Sequence, residues 1–590
     1  MGKIFTKTNP STRSRQNTKY DVRKSSECGD TENPSLRPEF PDLDHLMPSV
    51  SDETQAQAVK DLLTRLIPKH AHKFLVDVKR SLVEDGKDVF QLTRQKDGSV
   101  LITGSTGVSA ATGFNHYLKY YCNGQVSWET ANLNIPDELP PVNLTIVCQD
   151  RFRYYQNVCT GSYSFVWWSW ADWEKHIDWM VLNSYNLVLS LNGLEGIWKR
   201  VYTKLNLTAE EINEHFTGPA FLAWGTMGNL RGWGGPLPES WISRSIVLQH
   251  QILKRMREFG VIPVLPAFAG HVPRAFKRLY PDSNLSSATR WLGFNDSYCC
   301  PLMVEPTDPL FETIGTMFME ELTDEFGTDH VYSCDSFNEM TPKNDSLSYL
   351  RDMGLSVYKG MTAYDPQAIW LMQGWLFVNE KWFWTEDRAE ALLTSVPKGR
   401  MIILDLKSEQ EPQYDRLKSY FGQPFIWCML HNFGGTLGMY GSSVSVNTKV
   451  HSARTMRNST MIGTGLTTEG INQNYVIYEL MSESSWRSEP TNLEEWFDLY
   501  TVRRYGGNDS GAIKSWRILK DTLYNYNLPN QMHGKCVVTI RPSTQYRPRI
   551  WYKECDLVEA WDYLLQASNF QKNEGYRHDL VDVTRQILQV

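Results

Sequence analysis

The sequence predicts an α/β protein built on a (β/α)8 TIM barrel, and three observations carry that prediction. Between residues 149 and 485, short apolar or aromatic runs alternate with longer amphipathic stretches. The runs number eight, at 152–158, 187–191, 262–266, 331–337, 369–373, 401–406, 425–430 and 461–465. The stretches between them carry helix spacing: in 241–259 the set Ile242, Ile246, Leu253 and Met256 recurs on one face, and Gly260 supplies a stop. Eight strand–helix units fit a barrel, which tolerates insertions to more than about 400 residues. No short repeat points to a solenoid.

The remaining elements follow in chain order. Residues 1–46 are polar and rich in Ser, Pro and charge, and read as a disordered tail. Residues 47–148 read as a small N-terminal α/β domain. Ala58, Leu62, Leu63 and Leu66 have helical spacing, stopped by Pro68. Segments 88–94 and 99–105 read as strands around the Lys96-Asp97-Gly98 turn, and 106–122 as the next helix. The barrel spans 149–485. After residue 485 strand signals fade, and 493–504, 512–526 and 556–568 look helical, giving a C-terminal all-α domain over 486–590.

Composition excludes several function classes. No apolar run reaches the ~18 residues of a membrane helix, so no membrane span is expected. The net charge of −7 argues against a nucleic-acid partner. Ten Cys include no CxxC pair, and HExxH, the Walker glycine loop and GxGxxG are absent, so neither a metal nor a cofactor is expected. Seven Asn-x-Ser/Thr sequons, at Asn143, Asn206, Asn284, Asn295, Asn344, Asn458 and Asn508, lean toward the secretory route. Residues 1–40 show no apolar signal-peptide core, which leans the other way. The aromatic content is high, at 12% with 21 Trp, and 15 of those Trp lie between Trp167 and Trp427. Such rings fill a core or offer platforms to a ligand. The group Trp167, Trp168, Trp170, Trp173 and Trp179 reads mostly as packing.

Catalytic groups of such a barrel sit just past the C-terminal ends of its strands. Those positions hold Asn157 and Cys159; Asn192 and Glu195; His271; Asn338 and Glu339; Trp375; Asp405 and Glu409; His431 and Asn432; Thr468 and Glu469. Glu339 follows the fourth run and Glu469 the eighth, on opposite sides of the mouth. Two carboxylates flanking a cleft are what glycoside hydrolysis requires, one to protonate the leaving oxygen and one to meet the developing cation. Surface glutamates at both places are the alternative. Glu195 and His271 read equally well as substrate contacts or as satisfied structural groups.

Six motifs carry a resemblance. They are Tyr154-Tyr155-Gln156-Asn157-Val158-Cys159-Thr160, Ser164-Phe165-Val166-Trp167-Trp168, Leu222-Ala223-Trp224-Gly225-Thr226-Met227-Gly228-Asn229-Leu230, Phe337-Asn338-Glu339-Met340, Gln373-Gly374-Trp375-Leu376-Phe377 and Trp427-Cys428-Met429-Leu430-His431-Asn432-Phe433-Gly434-Gly435. From about residue 55 onward the chain closely resembles the lysosomal α-N-acetylglucosaminidases, glycoside hydrolase family 89. The resemblance implies a retaining exo-glycosidase acting on terminal α-linked N-acetylglucosamine, with a glycosaminoglycan or oligosaccharide (heparan sulfate) as partner and the lysosome as location. It implies Glu339 as acid/base and Glu469 as nucleophile. It places Asn157, Cys159, Tyr163, Trp224, Trp291, Asn338, Trp375 and His533 at sugar-binding positions. It leaves a homo-oligomer open.

In an α-linked N-acetylglucosamine the 2-acetamido group is cis to the leaving oxygen and cannot attack from behind. The enzyme must therefore supply its own nucleophile, and retention predicts carboxyls about 5–5.5 Å apart. Two departures from the family pattern stand out, a missing signal peptide and a C-terminal helical domain that stops early. The rival expectation is therefore a catalytically impaired carbohydrate-binding fragment or isoform.

Overall fold

Eight parallel strands close into a barrel in the computed structural model, which describes residues 39–434, 436–526, 541, 543–545 and 550–589. The strands are Phe152–Tyr155, Leu187–Leu189, Ile262–Pro266, Val331–Ser333, Ile369–Gln373, Met401–Asp405, Phe425–Met429 and Met461–Leu466, and the eighth pairs back onto the first. All eight apolar runs read from the sequence are strands. The first and fourth leave the ladder early, so residues 156–158 and 334–337 enter the mouth instead of lengthening the strand. Alternate residues divide between two cores. Tyr154, Leu187, Val264, Leu371, Leu404 and Ile426 fill the barrel interior, whereas Val188, Leu265, Tyr332, Trp370, Ile403 and Trp427 meet the surrounding helices. At the closing seam a Cβ on Gly463 would lie 2.5 Å from the Phe152 carbonyl oxygen, so the strands approach this closely through glycine.

The ordered chain begins earlier than the tail predicted for 1–46. Residues 1–38 lie outside the described region, but Pro41–Leu43 form a 3-10 turn. Phe40, Leu43 and Leu46 join the cluster that fills the barrel interior. Three apolar residues in a polar stretch are too sparse to signal a periodic element, yet they suffice as a plug.

The N-terminal sheet has four strands in the order Phe74–Val78, Val100–Gly104, Val89–Arg94, Asn143–Val147. Only the central two were legible in the sequence. Helices Asp52–Leu66 and Gly107–Tyr121 belong to this domain, and Thr106 and Ser109 cap the second reciprocally. Gln55 accepts the Gly107 N–H at 2.8 Å, joining the two. The C-terminal helices are Leu493–Tyr505, Ser510–Asp521, Glu554–Gln566 and Glu574–Ile587. No helix among the described residues is long and apolar enough to cross a membrane.

Buried ion pairs join the three parts. Lys119 of the N-terminal domain lies 3.3 Å from Glu479 and 2.9 Å from Glu483, both on the helix Tyr475–Ser484 that follows the last barrel strand. Arg503 of the C-terminal helices reaches the same Glu479 at 2.9 Å. Arg153, on the first barrel strand, is ion-paired with Asp88 of the N-terminal sheet. Each charge here is costly to bury alone, so each pair constrains how the parts dock.

Candidate active site

Glu339 and Glu469 line one cavity of about 260 Å³ at the C-terminal mouth of the barrel. Glu469 follows the eighth strand by two threonines. Its Oε2 accepts the backbone N–H of Gly434 at 2.8 Å, from the loop after strand seven. Asn432 of that loop donates to the Gly470 carbonyl at 2.8 Å and accepts the Gly470 N–H at 2.9 Å, fixing the turn beside Glu469. Burial pushes the Glu469 carboxyl up to about 7; the Gly434 N–H works against this, and the Glu339 charge adds to it.

Glu339 is held differently. Its Oε1 accepts the indole N–H of Trp375 at 2.9 Å and its Oε2 that of Trp291 at 2.6 Å. Trp375 begins the short helix Trp375–Asn379 after strand five and meets Phe433 edge-on at 5.7 Å. Trp291 comes from outside the barrel ladder. It sits on a loop between Leu285–Ser287 and Leu302–Val304, two strands of a three-stranded side sheet. This sheet had no counterpart in the sequence reading, because its strands are only two or three residues long.

The same cavity is lined by Asn157, Cys159, Tyr163, Trp224 and Asn338. Asn157 donates to the Thr467 carbonyl at 2.8 Å and accepts the Cys159 N–H at 2.9 Å, so it ties the turn after strand one to the strand-eight loop. Burial, then the charges of Glu469 and Glu339, hold the Cys159 thiol well above the ordinary thiol range. Tyr163 meets Trp224 edge-on at 5.4 Å and lies over Gly434, where a Cβ would occupy the space of its ring. Asn338 donates to the Met227 sulfur at 2.7 Å. Of the residues expected at sugar-binding positions, His533 lies outside the described residues; the other seven share this cavity with the two glutamates.

Other strand-end polar residues do not reach it. Glu195 and His271 line a separate cavity of about 60 Å³ on the far side of the Leu222–Thr226 helix. Burial raises Glu195 to about 7 and lowers His271 to about 4. Asp405 accepts the N–H groups of Gln413 and Tyr414, both at 2.9 Å. Glu409 accepts those of Leu430 and His431 at 3.2 and 2.8 Å. These carboxylates hold loops. The tryptophan group divides too: Trp173 and Trp179 are buried, but Trp167, expected to pack, is 69% exposed and meets Trp241 edge-on at 5.6 Å.

Several cavity residues escaped the sequence reading: Met227, Leu292, Gln373, Leu406, Leu430 and Phe433. Gln373 was within reach, being the polar last residue of strand five. It donates to Asp335 at 2.7 Å, and burial raises that carboxyl to about 7. Cys299 and Cys300, adjacent in sequence, are bonded as a disulfide near the end of the Trp291 loop.

Comparison with known proteins gives three profile matches along the chain. The Alpha-N-acetylglucosaminidase (NAGLU) N-terminal domain matches residues 57–141, the tim-barrel domain 153–488 and the C-terminal domain 496–590. A human alpha-N-acetylglucosaminidase is 48% identical over 542 residues, covering 91% of this chain and 73% of that protein. Among solved structures, a family 89 glycoside hydrolase from Clostridium perfringens in complex with 2-acetamido-1,2-dideoxynojirmycin superposes with a TM-score of 0.84 at 31% identity. It covers 91% of this chain, which spans 61% of that chain's length. The same bacterial enzyme, with two glutamates changed to glutamine and in complex with its substrate GlcNAc-alpha-1,4-galactose, also gives 0.84 at 31% identity.

Proposed function

The chain belongs to the α-N-acetylglucosaminidase family of glycoside hydrolases, family 89, and we propose that it is a retaining exo-glycosidase releasing terminal α-linked N-acetylglucosamine. The observation that carries this reading is one cavity at the barrel mouth, lined by two carboxylates from opposite strands and by Tyr163, Trp224, Trp291 and Trp375. Carboxylates do the bond chemistry, and the flat apolar faces of a pyranose stack on the rings.

In this reading the Glu469 oxygen turned away from Gly434 attacks the anomeric carbon, while Glu339 gives its proton to the leaving oxygen. A covalent glycosyl-enzyme forms and the leaving sugar departs as an alcohol. Water then attacks the same carbon. Glu339, now a carboxylate, takes the water's proton, and Glu469 is released. Glu469 must be ionised to attack, although burial places it near 7. The positive charge growing on the sugar ring favours that ionised form as the reaction proceeds.

Heparan sulfate as the natural polymer and the lysosome as location are part of the proposal. They rest on family membership and on the exposure of all seven sequon asparagines, which leaves each open to glycosylation. The test is aryl release from a synthetic α-N-acetylglucosaminide, beside a Glu469→Gln variant, with the first-formed sugar anomer followed by NMR. Turnover with retained α-configuration, lost in the variant, is expected. No turnover with sugar binding intact would favour a binding module, and inverted product would refute double displacement.

A further inference from the structure

Each oxygen of Glu339 accepts one indole N–H, Oε1 from Trp375 and Oε2 from Trp291. A general acid carries its proton on one of those oxygens and aims it at the glycosidic oxygen. An N–H seated on a carboxyl oxygen at 2.6 Å fills one of that oxygen's two lone-pair sites and crowds the space in which the substrate oxygen must meet the proton. Withdrawal of one indole opens that side of the carboxyl to the leaving sugar.

The two are not held alike. Trp375 starts a helix directly off a barrel strand and packs against Phe433. Trp291 rides on a loop outside the barrel, stacked on Phe294 of the same loop at 5.5 Å. Its neighbour Leu292 is 69% exposed with φ +49°, a backbone region that leucine rarely occupies. The far half of the loop is fastened instead. The Asp296 carbonyl accepts from Arg231 at 3.1 Å and Arg274 at 2.5 Å, and Cys299 bridges to Leu230.

We propose that Trp291 is a positioning residue that occupies the leaving-group side of Glu339 in the resting enzyme and yields Oε2 when the leaving sugar enters, its ring then walling that sugar's subsite. This inference rests on the glycosidase reading. The Trp291–Glu339 hydrogen bond exists before reaction and is absent in the transition state, so it opposes only reactions in which Glu339 must act as an acid.

Trp291→Phe keeps an aromatic ring and removes the N–H. With a dinitrophenyl α-N-acetylglucosaminide, whose leaving phenolate needs no proton, the change in kcat/KM reports what the smaller ring costs in sugar stacking and serves as the reference. With an α-1,4-linked disaccharide bearing the same non-reducing sugar, kcat/KM should rise at least about 3-fold relative to that reference, since a net hydrogen bond contributes that much or more. Any other pattern overturns the proposal: an equal change on both substrates, a fall on the disaccharide relative to the aryl glycoside, or no difference.

A second measurement needs no change at Trp291. In Glu469→Gln protein with 15N-labelled tryptophan, N-acetylglucosamine alone should leave the far-downfield indole proton signals in place, and the disaccharide should move one of them. Signals unmoved by the disaccharide overturn the proposal as well. If wild-type protein cleaves neither substrate, the glycosidase reading falls. If it cleaves both and the Trp291→Phe pattern fails, this inference falls alone.

Discussion

Replacing Glu469 with glutamine should abolish turnover and stabilise the protein, with a pH dependence that identifies the cause. Glu469 sits at the cavity wall with a carboxyl raised from 4.5 to about 7, mainly by burial. A carboxyl raised by folding is protonated in both states below about pH 4.5 and then costs the fold nothing. Above about pH 7 it is ionised in both, and the folded state carries the full penalty of holding the charge. That rise corresponds to roughly 3 kcal/mol, or about 1–3 kcal/mol once partial exposure to water in the cavity is allowed for. Glutamine is neutral throughout, and its amide oxygen can still accept the Gly434 N–H. The variant should therefore melt a few degrees above wild type at pH 8 and level with it at pH 4, while kcat falls about 10⁴-fold or more. Scanning calorimetry of both proteins across pH 4–8 measures this. A melting difference that is constant with pH, or a variant less stable at pH 8, would refute the burial argument.

Three further outcomes rest on other contacts in the fold. Arg504 holds Asp579 through bonds of 2.6 Å from both Nε and Nη2, joining the Leu493–Tyr505 and Glu574–Ile587 helices. Arg504→Ala removes the guanidinium from that buried carboxylate, leaving it the Tyr505 hydroxyl at 2.9 Å and the His578 ring at 3.3 Å, and should cost about 3 kcal/mol in denaturant unfolding, with kcat of the folded protein unchanged. Gly228 has φ +71° and lies against the His271 imidazole. Gly228→Ala should therefore lose about 1–3 kcal/mol and lower kcat/KM by displacing Met227 from Asn338, read by melting and steady-state kinetics. The Cys159 thiol should resist iodoacetamide at pH 8 in the native protein while exposed Cys555 is alkylated, as peptide mapping would show; alkylation at Cys159 matching that at Cys555 would contradict its burial.

The barrel was legible because its signal is local and repeated. A strand buried on both faces must be a continuous apolar run, and eight such runs can be read one at a time. Asn338-Glu339 and Thr468-Glu469 were legible for the same reason, since a polar residue just beyond such a run falls at the mouth. Shorter elements left no such trace. Phe74–Val78 and Asn143–Val147 are strands through pairing with partners distant in sequence. Phe40, Leu43 and Leu46 are a plug through the cavity they fill.

Tertiary structure decided which polar residues share a space. Glu195 and Glu339 both follow a strand end, yet one lies behind the Trp224 helix and the other faces Glu469. It also decided that both oxygens of Glu339 are taken by indoles, one of them from a loop outside the barrel. Residue identity and spacing determine what the chain can form locally: the strands, the helices and the order of the mouth positions. Distances between side chains dozens of residues apart depend on how loops of unequal length fold back over the barrel. Hydrogen bonding and burial vary steeply with those distances, so the electrostatics of the two glutamates exist only in the assembled fold.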